Sequence, residues 1–172
     1  MPQRLRDAIR DVPDFPKPGI LFKDITPVLA DPVLLQLSID KMTESASDFA
    51  IDKVVGIDAR GFLFGPSVAL AKNAGFVPVR KQGKLPWKTN SISYALEYGE
   101  NILEIHQDAV SPGDRVMVID DLLATGGTAS ATVKLLKELG AEVSCVIFLV
   151  ELDFLDGRKN IDCDNIHSIL NY

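Results

Sequence analysis

Apolar residues fall along this chain in two kinds of pattern. Val116 to Ile119 and Val146 to Val150 are unbroken apolar runs, as required of strands covered on both faces. Between them, Val133, Leu135, Leu136 and Leu139 mark a helix from Ala129 to a closing Gly140, with the spacing of one buried face. A shorter apolar strand ends near Ile57, a turn covers Asp58 to Gly61, and a helix continues through Ala71. "GFVPVRKQGKLP" predicts another short strand that ends in a basic loop. Alternation over Ser91 to Tyr98 and Asn101 to His106 predicts a hairpin that turns at Tyr98-Gly99-Glu100. The tail "NIDCDNIHSILNY" reads as a closing strand. Near the start, helices are predicted over Arg4 to Val12 and Leu34 to Ala46. Pro13, Pro16, Pro18, Pro27 and Pro32 forbid a long helix between them and predict an ordered, irregular segment packed over something.

Strand, helix, strand, helix, strand is the order of an α/β domain with a central, mostly parallel sheet flanked by helices. A length of 172 residues suits one domain spanning 1–172, and no repeat or low-complexity linker divides it. In such sheets ligands bind beyond the carboxyl ends of the strands. Asp120, Asp121 and the loop to Thr128 fall there.

The net charge of −6 argues against a broad electrostatic affinity for nucleic acid, so an anionic ligand needs a local cluster of donors. Cys145 and Cys163 form neither a metal-ligand pattern nor a disulfide framework, a usage that suits a reducing cytosol. The charged N-terminus lacks an apolar signal core and no apolar stretch approaches membrane-spanning length. A cytoplasmic protein without a membrane partner is expected.

The chemistry concentrates in "VMVIDDLLATGGTA", Val116 to Ala129. Ala124, Gly126 and Gly127 have little or no side chain, so the backbone can approach a ligand closely. The helix start beyond them offers unpaired N–H groups and a positive dipole end, and Thr125 and Thr128 add hydroxyls. This suits a phosphate monoester. The loop lacks the Gly-Lys-Ser/Thr ending of a Walker loop and the spacing of the dinucleotide fingerprint. Ionised carboxylates only accept hydrogen bonds, so Asp120 and Asp121 suit ribose hydroxyls and a developing positive charge rather than the phosphate. Together the two halves point to a ribose 5-phosphate unit. The bland alternative is an Asp-Asp turn before an ordinary glycine-rich helix start.

Other candidates are more open. Arg80, Lys81 and Lys84 gather three cations near a strand end, which suits a pyrophosphate leaving group or simply a solvated basic loop. Arg60 lies in the Asp58–Gly61 turn, and Glu97 is a carboxylate in a hairpin turn. His106 and His167 match no catalytic constellation and are expected to be structural.

"VMVIDDLLATGGTA" resembles the phosphoribosyl pyrophosphate motif of type I phosphoribosyltransferases. "DFPKPGILFKDITPVL", "GIDARGFLFGP", "VRKQGKLP" and "YALEYG" are similar, in the same order, to segments of the adenine-specific branch of that family, from about Asp14 to Glu151. The resemblance implies that family's fold, with a small N-terminal hood over the base within about residues 1–33 and a flexible loop. It implies transfer of the 5-phosphoribosyl group from phosphoribosyl pyrophosphate to adenine, giving AMP and pyrophosphate, in purine salvage. Asp120 and Asp121 would hold the ribose, and Ala124, Thr125, Gly126, Gly127 and Thr128 the 5-phosphate. Arg60, Arg80, Lys81 and Lys84 would meet pyrophosphate, the last three from a segment able to reach the neighbouring subunit of a homodimer. The family's turn at Asp58–Ala59 is often cis and usually carries serine where Ala59 stands. Glu97 would lie near the imidazole edge of the purine, with Tyr98 in the closing loop. Phe22 would stack on the base, the Leu21 backbone would read its amino edge, and Leu152 would pack on its other side. Lys23 stands where the family usually has arginine, a change that loses stacking and forked hydrogen bonding. Mg²⁺ would be held mainly by substrate and water, with no direct protein ligand. The same chemistry on hypoxanthine, guanine or xanthine, or a regulator that keeps the domain as a sensor, stays open from the residues alone.

Overall fold

The computed structural model describes residues 2–95 and 100–172, and the chain divides into two compact units, Met1–Lys41 and Met42–Tyr172. Leu96 to Gly99, which hold Glu97, Tyr98 and most of the predicted hairpin turn, lie outside the described residues.

The first unit contains α1 (Pro2–Ala8), the antiparallel pair β1 (Arg10–Pro13) and β2 (Leu21–Asp24), and α2 (Thr26–Ala30). The helix predicted over Arg4 to Val12 therefore stops at Ala8, and its last residues are strand. The backbone partner of Arg10 to Pro13 is a segment about ten residues further on, with Val12 opposite Phe22 and Arg10 opposite Asp24. Such cross-strand pairing overrides a local helical pattern. An ion pair of 2.6 Å from Lys23 Nζ to Asp11 and an edge-on contact of Phe15 with Phe22, 5.1 Å between centroids, hold the hairpin. The proline-rich segment is more regular than predicted because two of its prolines sit at helix starts, where the missing N–H is not needed. Pro27 lies in the first turn of α2, and Pro32 opens α3 (Pro32–Glu44), whose Val33 and Leu34 amides donate to Asp31 Oδ1 at 2.8 and 3.1 Å.

The second unit is built on a seven-stranded sheet. Its strands are β3 (Lys53–Ile57), β4 (Gly75–Lys81), β5 (Thr89–Ala95), β6 (Glu100–His106), β7 (Arg115–Leu123), β8 (Glu142–Glu151) and β9 (Ile166–Asn171), in the order β5-β6-β4-β3-β7-β8-β9. From β4 to β9 the pairing is parallel, while β6 runs antiparallel to both β4 and β5. The mostly parallel sheet flanked by helices is the predicted one. Val116 to Ile119 and Cys145 to Val150 are buried throughout, which explains their unbroken apolar runs. Helices α4 (Gly65–Ala71) and α5 (Gly127–Glu138) complete the unit, and Val133, Leu135 and Leu136 of α5 join Val55, Val118 and Val146 in one core. No helix of the described residues is long and apolar enough to cross a membrane.

Two boundaries differ from the sequence reading in ways that shape the site. Helix α5 begins at Gly127, two residues before the predicted Ala129, because Gly126 turns the chain at φ +80°. Strand β7 does not end at the aspartates: its ladder with the long β8 runs on through Asp120 opposite Phe148 to Leu123 opposite Glu151. On its other side the pairing with β3 stops at Gly56 opposite Ile119. The two aspartates thus project past the end of β3 while still held by β8.

Glycines on β3 and α4, Gly56 and Gly65, make room for one ring of β4, that of Phe76. A Cβ on Gly56 would stand 2.7 Å from the ring of Phe76, whose edge-to-face partner Phe62 is 6.0 Å away. Gly56→Ala is expected to cost about 1–3 kcal/mol through overpacking, and clearly less when Phe76 is also replaced by Leu. Urea unfolding of the two single variants and the double variant checks this, and strictly additive costs would count against the ring as the obstacle.

Candidate active site

Where β7 outruns β3, the second unit opens a cavity of ≈ 310 Å³. Its walls are the Asp58–Arg60 turn, Lys81, Tyr94, and the continuous stretch from Asp120 to Ala129. One end is acidic and the other is lined by small residues.

The acidic end is held from both sides. Asp120 Oδ1 accepts the Asp121 backbone N–H at 2.9 Å. Asp121 is buried, and Arg60 Nε lies 3.1 Å from its Oδ2 as an ion pair. That approach is not an aligned hydrogen bond, and the same Oδ2 has no hydrogen-bond partner among the described residues. Burial, reinforced by the charge of Asp121, pushes the Asp120 carboxyl well above the usual range. Burial also raises Asp121, against the opposing pull of Arg60. The Arg60 turn can lie on β7 only because Gly61 follows it: a Cβ there would stand 2.6 Å from the Ile119 carbonyl oxygen. The Asp58–Ala59 peptide in this turn is cis.

The other end is a cradle of backbone. Ser130 N–H makes the first helical bond of α5, to Gly126 O at 2.8 Å. The amides of Gly127, Thr128 and Ala129 therefore belong to the first turn and have no partner within the helix. They line the cavity with the positive end of the helix dipole. The Thr128 hydroxyl shares a hydrogen bond with Tyr94 Oη at 3.1 Å, and Asn101 Nδ2 donates to the same phenol at 3.4 Å.

The sequence candidates are distributed unevenly. Arg60, Lys81, Asp120, Asp121 and Ala124 to Thr128 converge on the cavity. Arg80 and Lys84 do not line it. Neighbours on a strand point to opposite faces, and the Arg80 side chain is taken up by Asp58, Lys84 and Phe62. Its Nε donates to Asp58 Oδ2 at 3.2 Å, its Nη1 donates to Lys84 O at 3.3 Å, and its guanidinium lies 5.8 Å from the Phe62 ring centroid. Lys84 is exposed on a turn whose Gly83 amide is tied to Glu104 Oε2 at 2.9 Å. Leu152 follows β8, half-buried, with its amide on Leu123 O at 2.9 Å, and does not line the cavity. Leu21, Phe22 and Lys23 lie on β2 of the first unit, where Leu21 is half exposed and Lys23 is paired with Asp11. His106 stands edge-on to Trp87 and His167 beside Phe49, and neither lines the cavity.

Sequence reasoning missed Tyr94, Gly157 and Asn160. Tyr94 reads as one apolar position in a hairpin, and its partner Thr128 is 34 residues away. Asn160 Nδ2 donates to Thr125 O at 2.8 Å across 35 residues, a contact without a local signal. Only Asp156-Gly157, with Asp156 at φ +55°, could have flagged a tight turn there.

Comparison with known proteins agrees with this geometry. The phosphoribosyl transferase domain signature matches residues 28–170. The adenine phosphoribosyltransferase of Nitrosococcus oceani is 51% identical over 170 residues, covering 99% of each chain. The crystal structure of the Thermoanaerobacter pseudethanolicus adenine phosphoribosyltransferase superposes with a TM-score of 0.97 at 50% identity, over 100% of both chains. The Saccharomyces cerevisiae enzyme, solved with an imino-altritol bisphosphate and adenine, gives a TM-score of 0.92 at 41% identity over 98% of this chain and 97% of that one. The chain belongs to the adenine phosphoribosyltransferases.

The raised carboxyls carry a stability consequence. A carboxyl raised on folding stabilises the fold fully below its ordinary range, near pH ~4, and that contribution is lost as pH climbs through the raised value. Asp120→Asn, which keeps the acceptor for the Asp121 amide, is expected to melt at a higher temperature than the parent at neutral pH in the absence of ligand. The gap should close below about pH 4. Melting curves across pH check this, and a gap independent of pH would mean that burial does not disfavour the charge.

Proposed function

We propose that this cavity transfers the 5-phosphoribosyl group of 5-phospho-α-D-ribose 1-diphosphate to adenine, giving AMP and pyrophosphate for purine salvage. The observation that carries this reading is one cavity holding a helix-terminal backbone cradle at one end and a buried carboxylate, ion-paired with Arg60, at the other. Ala124 to Thr128 take the 5-phosphate through backbone amides and hydroxyls. The ribose then lies along β7 with its hydroxyls on Asp120 and Asp121. As the bond from C1 to the pyrophosphate oxygen breaks, positive charge develops on the sugar, and the two carboxylates stabilise it. Arg60 and Lys81 face the departing pyrophosphate from the cavity wall. The ring nitrogen of adenine attacks the opposite face of the sugar carbon. Positioning and electrostatics supply most of the acceleration.

A Mg²⁺ fits the residues present. The cavity offers two adjacent carboxylates, Asp120 and Asp121. That donor set suits an ion held mainly by substrate oxygens and water. When bound it would neutralise charge on the pyrophosphate.

Around this centre, Glu97 handles a proton near the imidazole edge of the base, and Tyr98 belongs to the loop that excludes water. Phe22 stacks on adenine, the Leu21 backbone reads its amino edge, and Lys23 and Leu152 are further adenine-binding residues. The support for these roles is the likeness of the surrounding segments to the family's. The chain works as a homodimer, in which Arg80 and Lys84, which do not line their own cavity, reach the neighbouring subunit's site. It works in the cytoplasm, where its free Cys145 and Cys163 stay reduced.

Two measurements test the reading. With Mg²⁺ and phosphoribosyl pyrophosphate, turnover should strongly prefer adenine over hypoxanthine, guanine and xanthine offered in parallel; preference for a 6-oxo purine would overturn the base assignment. Asp121→Asn should lower kcat by about 10²-fold or more with the fold intact by circular dichroism, and near-normal turnover would remove the carboxylate from the mechanism.

A further inference from the structure

The phosphate cradle is backed by a second structure that takes no part in the cavity. Just past β8, a 3₁₀ turn spans Gly157–Asn160. Arg158 anchors it to the sheet: Nε and Nη2 donate to the two oxygens of Glu151 at 2.6 Å each, and Nη1 donates to Ile166 O at 2.6 Å. Ser168 Oγ adds a bond of 2.5 Å to Glu151 Oε2. Burial pushes the Glu151 carboxyl up, but the hydrogen bonds from Arg158 and Ser168 outweigh it and hold the group ionised, below its ordinary value. Both strand ends, β8 and β9, are thereby locked to the turn.

The anchored turn meets the cradle backbone to backbone. A Cβ on Gly157 would overlap the Ala124 carbonyl oxygen, and a Cβ on Gly126 would overlap the Gly157 carbonyl oxygen. No side chain separates the two segments. One residue pair along, Asn160 Nδ2 donates to Thr125 O at 2.8 Å. Two consecutive carbonyls of the cradle, those of Ala124 and Thr125, are therefore turned toward the 3₁₀ turn. In a trans peptide the N–H points opposite to the C=O of the same unit. The amides of Thr125 and Gly126 consequently face away from the turn.

We propose that the Gly157–Asn160 turn is the positioning element of the 5-phosphate site, with Asn160 fixing the peptide that aims the Gly126 amide at the phosphate. Asn160 does not touch substrate. It acts through the Thr125–Gly126 peptide, whose amide would otherwise be free to rotate with the glycine. The inference rests on the ribose 5-phosphate reading of the cradle given above. It assigns a role in substrate capture to a residue 35 positions from the motif it serves.

Asn160→Ala and Asn160→Leu remove the donor, the second with nearly the same size, at an exposed position where folding is not at risk. Calorimetric titration with ribose 5-phosphate and, separately, with inorganic pyrophosphate reads the two halves of the site independently. Both variants are expected to bind ribose 5-phosphate about tenfold more weakly, the scale of one lost hydrogen bond. Pyrophosphate affinity should stay within about twofold, and steady-state assays should show a raised KM for phosphoribosyl pyrophosphate with kcat held at saturation. A merely structural role would weaken both ligands together. Unchanged ribose 5-phosphate binding, or a parallel loss of both ligands with a lower melting temperature, overturns the proposal. A parent protein that binds no ribose 5-phosphate overturns the functional reading itself, and this inference with it.

Discussion

The unequal length of the two ladders on β7 is the constraint on which the site depends. On the β8 side the hydrogen bonds continue to Leu123, and on the β3 side they stop at Ile119. If both ladders stopped together, Asp120 and Asp121 would sit on a flexible loop in water and keep ordinary acidity. If both continued, neighbouring strands would cover them. The overhang holds two carboxylates rigidly, half in the core, beside a cavity open on one side. Rigid placement of charge before the reaction begins is the source of electrostatic catalysis.

Everything else in the second unit serves that overhang. Gly61 lets the Arg60 turn lie on the Ile119 carbonyl, and this brings a guanidinium to Asp121. Gly126 reverses the chain just beyond β7, so that α5 begins at the cavity wall and presents its first-turn amides there. The pairing of β8 and β9, locked through Glu151, Arg158 and Ser168, steadies the far edge. The acidic end and the backbone cradle stand apart because they grow from the two ends of one strand-loop-helix segment.

The sequence was most legible where structure is local or fully buried. Val116 to Ile119 and Val146 to Val150 can be read as strands because burial on both faces leaves no polar position to confuse the pattern. The Ala124–Thr128 loop carries its chemistry within five residues, so its placement on a cavity wall follows from composition and the helix behind it. Legibility failed where a distant partner decides. Arg10 to Pro13 become strand only through Leu21 to Asp24. The sidedness of Arg80 and Lys81 depends on how β4 sits between β3 and β6, which one strand does not reveal. Asn160 and Tyr94 earn their places by contacts across more than thirty residues.

The buried carboxyl pair also ties ligand capture to acidity. In the empty cavity burial makes the charge on Asp120 and Asp121 costlier, so both carboxyls hold their protons to higher pH than ordinary ones do. A ribose seated as proposed, with hydroxyl donors and a carbon gaining positive charge beside them, favours the ionised forms. Any proton the pair still holds is then released to the surrounding water when the cavity fills. Apparent affinity rises with pH across the interval in which the empty pair still holds them. The heat absorbed or released on binding depends on which buffer takes them up.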